Sequence, residues 1–205
     1  MPTVIGKFIS RNVYESKLQT VHTIHNQICC LFVDVKNGTE NKKGVSWTVR
    51  TTFPIHRSAY RSRSKFTQNE GEVKASVQIA KRYIRENKNF KIITPYDAQR
   101  NAIENALKTA GLPWENTVFN VDSFQGNEED HIVVSIVRTS APGFMKNQRR
   151  TNVMLSRCKK SMMILTHRLF LQNKGAAKTL VGKFAKEHVP RTGWVTLEDL
   201  AVHRW

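Results

Sequence analysis

The chain has 205 residues, enough for one sizeable α/β domain with appendages and short for two. Its 33 Lys+Arg against 16 Asp+Glu leave a formal charge of +17, and a pI near 10.2 favours a polyanionic partner, most often nucleic acid. No apolar run approaches the roughly 20 residues that span a bilayer, and MPTVIGKFIS lacks a secretory apolar core, so the expected location is intracellular, nuclear or cytoplasmic, with no membrane partner.

Ile5, Phe8, Ile9 and Val13 recur at helical spacing and predict a short amphipathic helix over 4–16. A polar stretch leads to an apolar strand over Ile28–Val35. His22, His25, Cys29 and Cys30 lie close enough in sequence to raise a metal question. Yet a buried strand uses Cys as a small hydrophobe, and no second ligand pair follows, so no metal site is expected. Cys29, Cys30 and Cys158 form no paired framework, which suits a reducing compartment. Residues 36–43 read as a turn-rich loop.

Val73, Val77, Ala80 and Ile84 line one face of a helix over 72–86. Phe90–Tyr96 is a strand that Pro95 brings to an end. Asp97 is placed to cap the next helix, which carries Ile103, Ala106, Leu107 and Ala110, and Gly111 supplies its left-handed stop. Strands are expected at 117–121 and 131–138, the second apolar enough to be covered on both faces. A helix near 147–158, a strand over Ser161–Thr166 and a helix near 176–187 follow. Residues 189–205 show no clear pattern. Alternating strands and helices predict a mainly parallel sheet flanked by helices.

In such sheets ligands gather beyond the carboxyl ends of the strands. Thr94-Pro-Tyr-Asp-Ala-Gln-Arg100 and Asp122-Ser-Phe-Gln-Gly126 follow predicted strands. Arg150 and Arg157, seven residues apart, fall on one face of the helix near 147–158. There they would clamp an anion, since guanidinium forks match phosphate oxygens. Taken singly, each motif also fits a solvated basic face.

In this order, ITPYDAQR, VDSFQGNEED and QRRTNVMLSRCK resemble motifs IV, V and VI of superfamily 1 helicases, especially the group of the nonsense-mediated-decay RNA helicase. The resemblance covers about residues 28–48 and 69–170. It implies a RecA-like second motor domain of the P-loop NTPase superfamily, working beside a first motor domain in an ATP-dependent DNA or RNA helicase. It implies catalytic roles at the γ-phosphate for Arg100, Arg157 and Glu128. Tyr96, Gln125 and Gly126 would approach the nucleotide. Thr94 and Ser123 would meet the backbone of single-stranded DNA or RNA, as would the cationic Arg150.

The 205 residues contain no G-x-x-x-x-G-K-[ST] loop. ATP and Mg²⁺ are therefore expected only if a first motor domain is supplied, and this chain alone is expected to be inactive. Lys159 stands where the family has a second arginine and cannot form the same planar fork. Met1-Pro2 resembles the stretch that precedes this domain, which implies an internal methionine of a longer protein. The alternative is a non-catalytic nucleic-acid-binding fragment, or the product of a truncated or wrongly delimited helicase gene.

Val49–Gln68 carries five Lys/Arg and no acid, and it interrupts the family pattern. Joining Ser46-Trp-Thr48 directly to Asn69-Glu-Gly-Glu72 restores S-x-x-N-x-x-E. Val codons begin GT and Gln can be CAG, the ends of a spliced intron. The segment is thus read as a retained intron or as a genuine basic loop contacting nucleic acid, disordered in either case. The expected organisation is a lead-in over 1–27, a RecA-like domain over 28–188 with the 49–68 insertion, and a tail over 189–205.

Overall fold

A computed structural model describes residues 1–42 and 67–202. Helix α1 (Thr3–Val13) leads through a polar stretch into β1 (Cys30–Asp34), and β2 (Glu40–Lys42) pairs antiparallel with β3 (Thr67–Asn69). Then come α2 (Glu70–Arg85), β4 (Phe90–Thr94), α3 (Asp97–Thr109), β5 (Val118–Asn120), β6 (Glu129–Ser135), α4 (Gln148–Leu155) and β7 (Cys158–Thr166). The chain continues with α5 (Arg168–Gln172), α6 (Lys174–Ala177), α7 (Leu180–Thr192), β8 (Trp194–Val195) and α8 (Leu197–Val202).

Six strands form one parallel sheet in the order β5-β4-β6-β7-β1-β8. Side chains alternate across it, as the two-residue strand period requires. Phe32, Ile93, Ile132, Val134 and Ile164 enter one core with α1, α4 and α7. Leu31, Val33, Ile92, Val133 and Leu165 enter the other with α2 and α3. Both faces are covered, which accounts for the continuous apolar runs of β1 and β6. This is the RecA-like α/β fold that the strand and helix order predicts.

Several local expectations shift. Helix α1 stops at Val13 rather than 16, because Glu15 and Ser16 take positive φ. Ile84 is exposed, and Ser76, Ile79 and Tyr83 join Val73 and Ala80 on the buried face of α2. Asp97 does not cap α3; it lies in the first turn and accepts a hydrogen bond from Asn120 at 2.8 Å. Gly111 does take the left-handed conformation, at φ +68. Residues 189–202, patternless in sequence, complete α7, add β8 beside β1 and form α8.

Most of the 49–68 insertion lies outside the described residues. Its last two, Thr67 and Gln68, do not: they pair with Lys42 and Asn41 in the small antiparallel ladder, and Thr67 is buried.

Candidate functional site

The segment after β5 organises the site. Val121 and Phe124 are buried and pin it to the core, while Asp122, Ser123, Gln125 and Gly126 stay exposed. Gly126 has φ +86, a conformation that costs a residue with a Cβ. Asn120 ties the start of this segment to α3, since its side chain donates to Asp97 and accepts from Ser123 N–H at 2.7 Å. Asp122 receives the guanidinium of Arg150 from α4, including a 2.9 Å bond from Nε. Further on, Asn127 O accepts from Arg157 at 3.3 Å, and Glu128 faces Lys159 Nζ at 3.6 Å. The three motifs are thus stitched together through the 120–128 segment.

The segment runs from the carboxyl end of β5 to the amino end of β6. Glu129 N–H donates to Arg157 O at 3.1 Å, and Glu129 registers with Cys158 at the start of β7. Glu128 and Arg157 therefore sit at the amino ends of their strands, not beyond carboxyl ends as expected. The helical clamp is also corrected. Helix α4 ends at Leu155 with Ser156 as its C-cap, so Arg150 is helical and Arg157 is not.

The arginines have different fates. Arg150 is ion-paired with Asp122 and lies 4.7 Å over the Phe144 ring. Arg100 bonds Glu104 at 3.0 Å, with Asp97 at 3.9 Å. Arg157 meets only neutral acceptors among the described residues: Val153 O at 2.8 Å, Ser156 Oγ at 2.8 Å and Asn127 O. Its guanidinium is oriented while its charge stays uncompensated. That combination suits an anion, because the fork is fixed before the ligand arrives.

The remaining expected site residues divide. Ser123 is exposed, and its hydroxyl donates to Asn120 O. Thr94 is fully buried, and among the described residues its Oγ1 has no hydrogen-bond partner, so it does not present a hydroxyl at the surface. Tyr96 turns inward: its hydroxyl accepts from Phe144 N–H at 3.2 Å, and burial raises its pKa. Cys29 and Cys158 are buried, and desolvation pushes their thiols up to about 11 and about 12.

A buried polar network escapes the sequence reading. Glu72 is fully buried, and its carboxylate accepts from Ser135 Oγ at 2.6 Å and from Val137 N–H at 2.8 Å. Gln99, the neighbour of Arg100, donates to Ser135 Oγ and Asn69 O, each at 3.1 Å, and accepts from Asn69 N–H at 2.8 Å. Asn69 Nδ2 in turn donates to Val137 O at 3.1 Å. Val137 is gripped at both backbone groups while held at φ +71, a rare conformation for a β-branched residue. Arg138 N–H closes onto Ile136 O at 2.8 Å, a γ-turn. The turn sends Arg138 to Glu40 at 2.8 Å, a largely buried ion pair.

Fold and motifs together define a helicase-type α/β domain. A family profile described as an AAA domain matches residues 1–169, and the chain belongs to that family. It is 27% identical to an uncharacterized ATP-dependent helicase of Methanocaldococcus jannaschii over 89% of this chain and 27% of that protein. It is 35% identical to regulator of nonsense transcripts 1 of Dictyostelium discoideum over 48% of this chain and 8% of that protein. It is 28% identical to DNA-binding protein SMUBP-2 of Mesocricetus auratus over 53% of this chain and 11% of that protein. The chain thus spans about a quarter or less of the length of these relatives.

Proposed function

We propose that the chain acts as the second motor domain of an ATP-dependent DNA or RNA helicase, with Arg157 as its arginine finger. The observation that carries this reading is the uncompensated Arg157 guanidinium, held by three neutral acceptors at the junction of motifs V and VI. The phosphate loop and the Mg²⁺-binding acids belong to a first motor domain, and bound ATP supplies the phosphoryl group to be transferred. Arg157 neutralises charge on that group in the transition state. Arg100 does the same after exchanging Glu104 and Asp97 for phosphate oxygens. Glu128 orders the same region through Lys159, and the Gln125-Gly126 turn lets backbone approach the nucleotide. Ser123 and Arg150 meet the phosphates of a single strand.

The test joins this chain to a helicase first motor domain that carries a phosphate loop and measures single-strand-stimulated ATP hydrolysis. Arg157→Ala should lower kcat by about 10³-fold or more, the usual worth of an arginine finger. Arg157→Lys should recover little, because a point charge does not replace the fork. An unchanged kcat in Arg157→Ala would refute the assignment. A second reading, favoured by the missing phosphate loop in these 205 residues, is that the chain binds single strands without turnover.

A further inference from the structure

Helices α5, α6 and α7 with β8 enclose a groove of about 490 Å³ that the helicase reading leaves unused. Its apolar lining comes from Leu171, Ala177, Ala185, Val189, Pro190 and Trp194. On α7 the lining positions 182, 185, 186, 189 and 190 fall on one face at helical spacing. Small residues there keep the groove open. At Gly182 a Cβ would come within 2.2 Å of Ala176 O, so α6 and α7 approach closely only because that side chain is absent.

The charge around the groove is one-sided. Arg168 and Lys186 line it, and among the described residues no acidic one does. Residues 168–191 carry Arg168, Lys174, Lys178, Lys183, Lys186 and Arg191 against the single acid Glu187, and Glu187 and Arg191 turn away from the groove to the α1 side of α7. Glu187 is already paired with Arg11. None of those six cations pairs with a carboxylate among the described residues. All six are exposed.

We propose that this groove is a docking site for an acidic amphipathic protein segment, which inserts aliphatic side chains between α5 and α7 and sets its carboxylates against Arg168 and Lys186. The volume lies within the roughly 300–1,000 Å³ of ordinary ligand pockets, enough for a few side-chain anchors. The mode is a helix laid into a groove, read through anchors three and four residues apart. Nucleic acid is the poorer fit. Single strands bind through stacking on free aromatic faces along a cationic track, whereas this lining is aliphatic. Its indole is half-buried, with the Trp194 and Phe32 ring centroids 5.8 Å apart.

The probe is a fluorescein-labelled helical peptide with Leu at three- and four-residue spacing and Glu between, titrated against the full 205-residue chain. Binding in the micromolar range is expected, weakening when the Glu residues become Gln or the Leu residues become Ser. Ala185→Trp fills the groove and should weaken binding at least tenfold. Because that change touches the core edge, the exposed pair Arg168→Glu and Lys186→Glu supplies a variant safe for folding, with a similar loss expected. A single-stranded oligonucleotide should bind wild type and Ala185→Trp equally. Three results would overturn the proposal: peptide affinity indifferent to the groove variants, no peptide binding up to millimolar concentration, or oligonucleotide binding lost with the groove filled.

Discussion

Glu72 concentrates a large energetic tension in a single residue. A carboxylate with no exposed surface loses its hydration, and that desolvation pushes its pKa up from 4.5 to about 8 despite help from Ser135 and Val137. The sign follows from proton counting. Between pH 4.5 and about 8 the folded chain keeps a proton that the unfolded chain has released, so this group's contribution to stability falls as pH rises through that window. One pKa unit corresponds to about 1.4 kcal/mol, so even half of the rise from 4.5 to about 8 would cost about 2 kcal/mol above pH 8. Glu72→Gln keeps an acceptor for Val137 N–H and has nothing to ionise. It should therefore match or slightly trail wild type near pH 5 and exceed it near pH 9 by about 2 kcal/mol in urea unfolding. The difference between the two chains cancels the titration of His131 and His188. A constant difference from pH 5 to 9 would show that Glu72 keeps an ordinary pKa in the folded chain.

At the level of elements, much of the fold was legible because physics writes it locally. Strands β4, β6 and β7 are apolar runs covered on two faces, and Gly111 marks the end of α3. What stayed hidden depends on partners distant in sequence. Asn69 and Glu72 read as an ordinary helix start, and Asn69 does accept from Glu72 N–H. Nothing local says that both side chains also grip Val137, 65 and more residues away. Likewise the spacing of Arg150 and Arg157 was visible, but not that α4 stops between them, leaving Arg150 paired with a carboxylate and Arg157, among the described residues, with neutral acceptors alone. The 49–68 segment gives an element-scale test. Its removal leaves Lys43–Ser46 as a four-residue connection, an ordinary hairpin length, and brings Trp47-Thr48 into the places of Thr67-Gln68. The β2–β3 bonds are backbone bonds and survive. Lost is the 3.1 Å bond from Gln68 to Ala98 O, worth about 1 kcal/mol, while loop shortening returns about 1.5 kcal/mol. The deletion variant should unfold cooperatively with stability within about 1 kcal/mol of wild type. Loss of cooperativity would mean that the buried Thr67 position cannot take an indole. A coding segment uninterrupted in every spliced transcript would refute the intron origin.

For the whole molecule, the excess of 33 cations over 16 acids is spread along the chain, and only part of it is neutralised internally. Arg150, Arg100 and Arg138 are each tied to carboxylates, so they add orientation more than net field. Single-strand binding by the isolated chain should therefore be weak and carried mainly by phosphate contacts. If roughly three to five phosphates are neutralised, the slope of log affinity against log salt should be about −2 to −3.5 for a single strand. Raising salt from about 50 to 200 mM should then weaken binding roughly 15- to 130-fold. Fluorescence anisotropy with matched DNA and RNA oligonucleotides would measure the slope. Similar slopes for the two are expected, since phosphate contacts carry no base information. The same preparation should hydrolyse no ATP with or without the strand, because its sequence contains no phosphate loop. Single-strand affinity independent of salt would place the contacts on bases rather than phosphates. Strand-stimulated turnover abolished by Arg157→Ala would show instead that these 205 residues build a complete phosphate site without that loop.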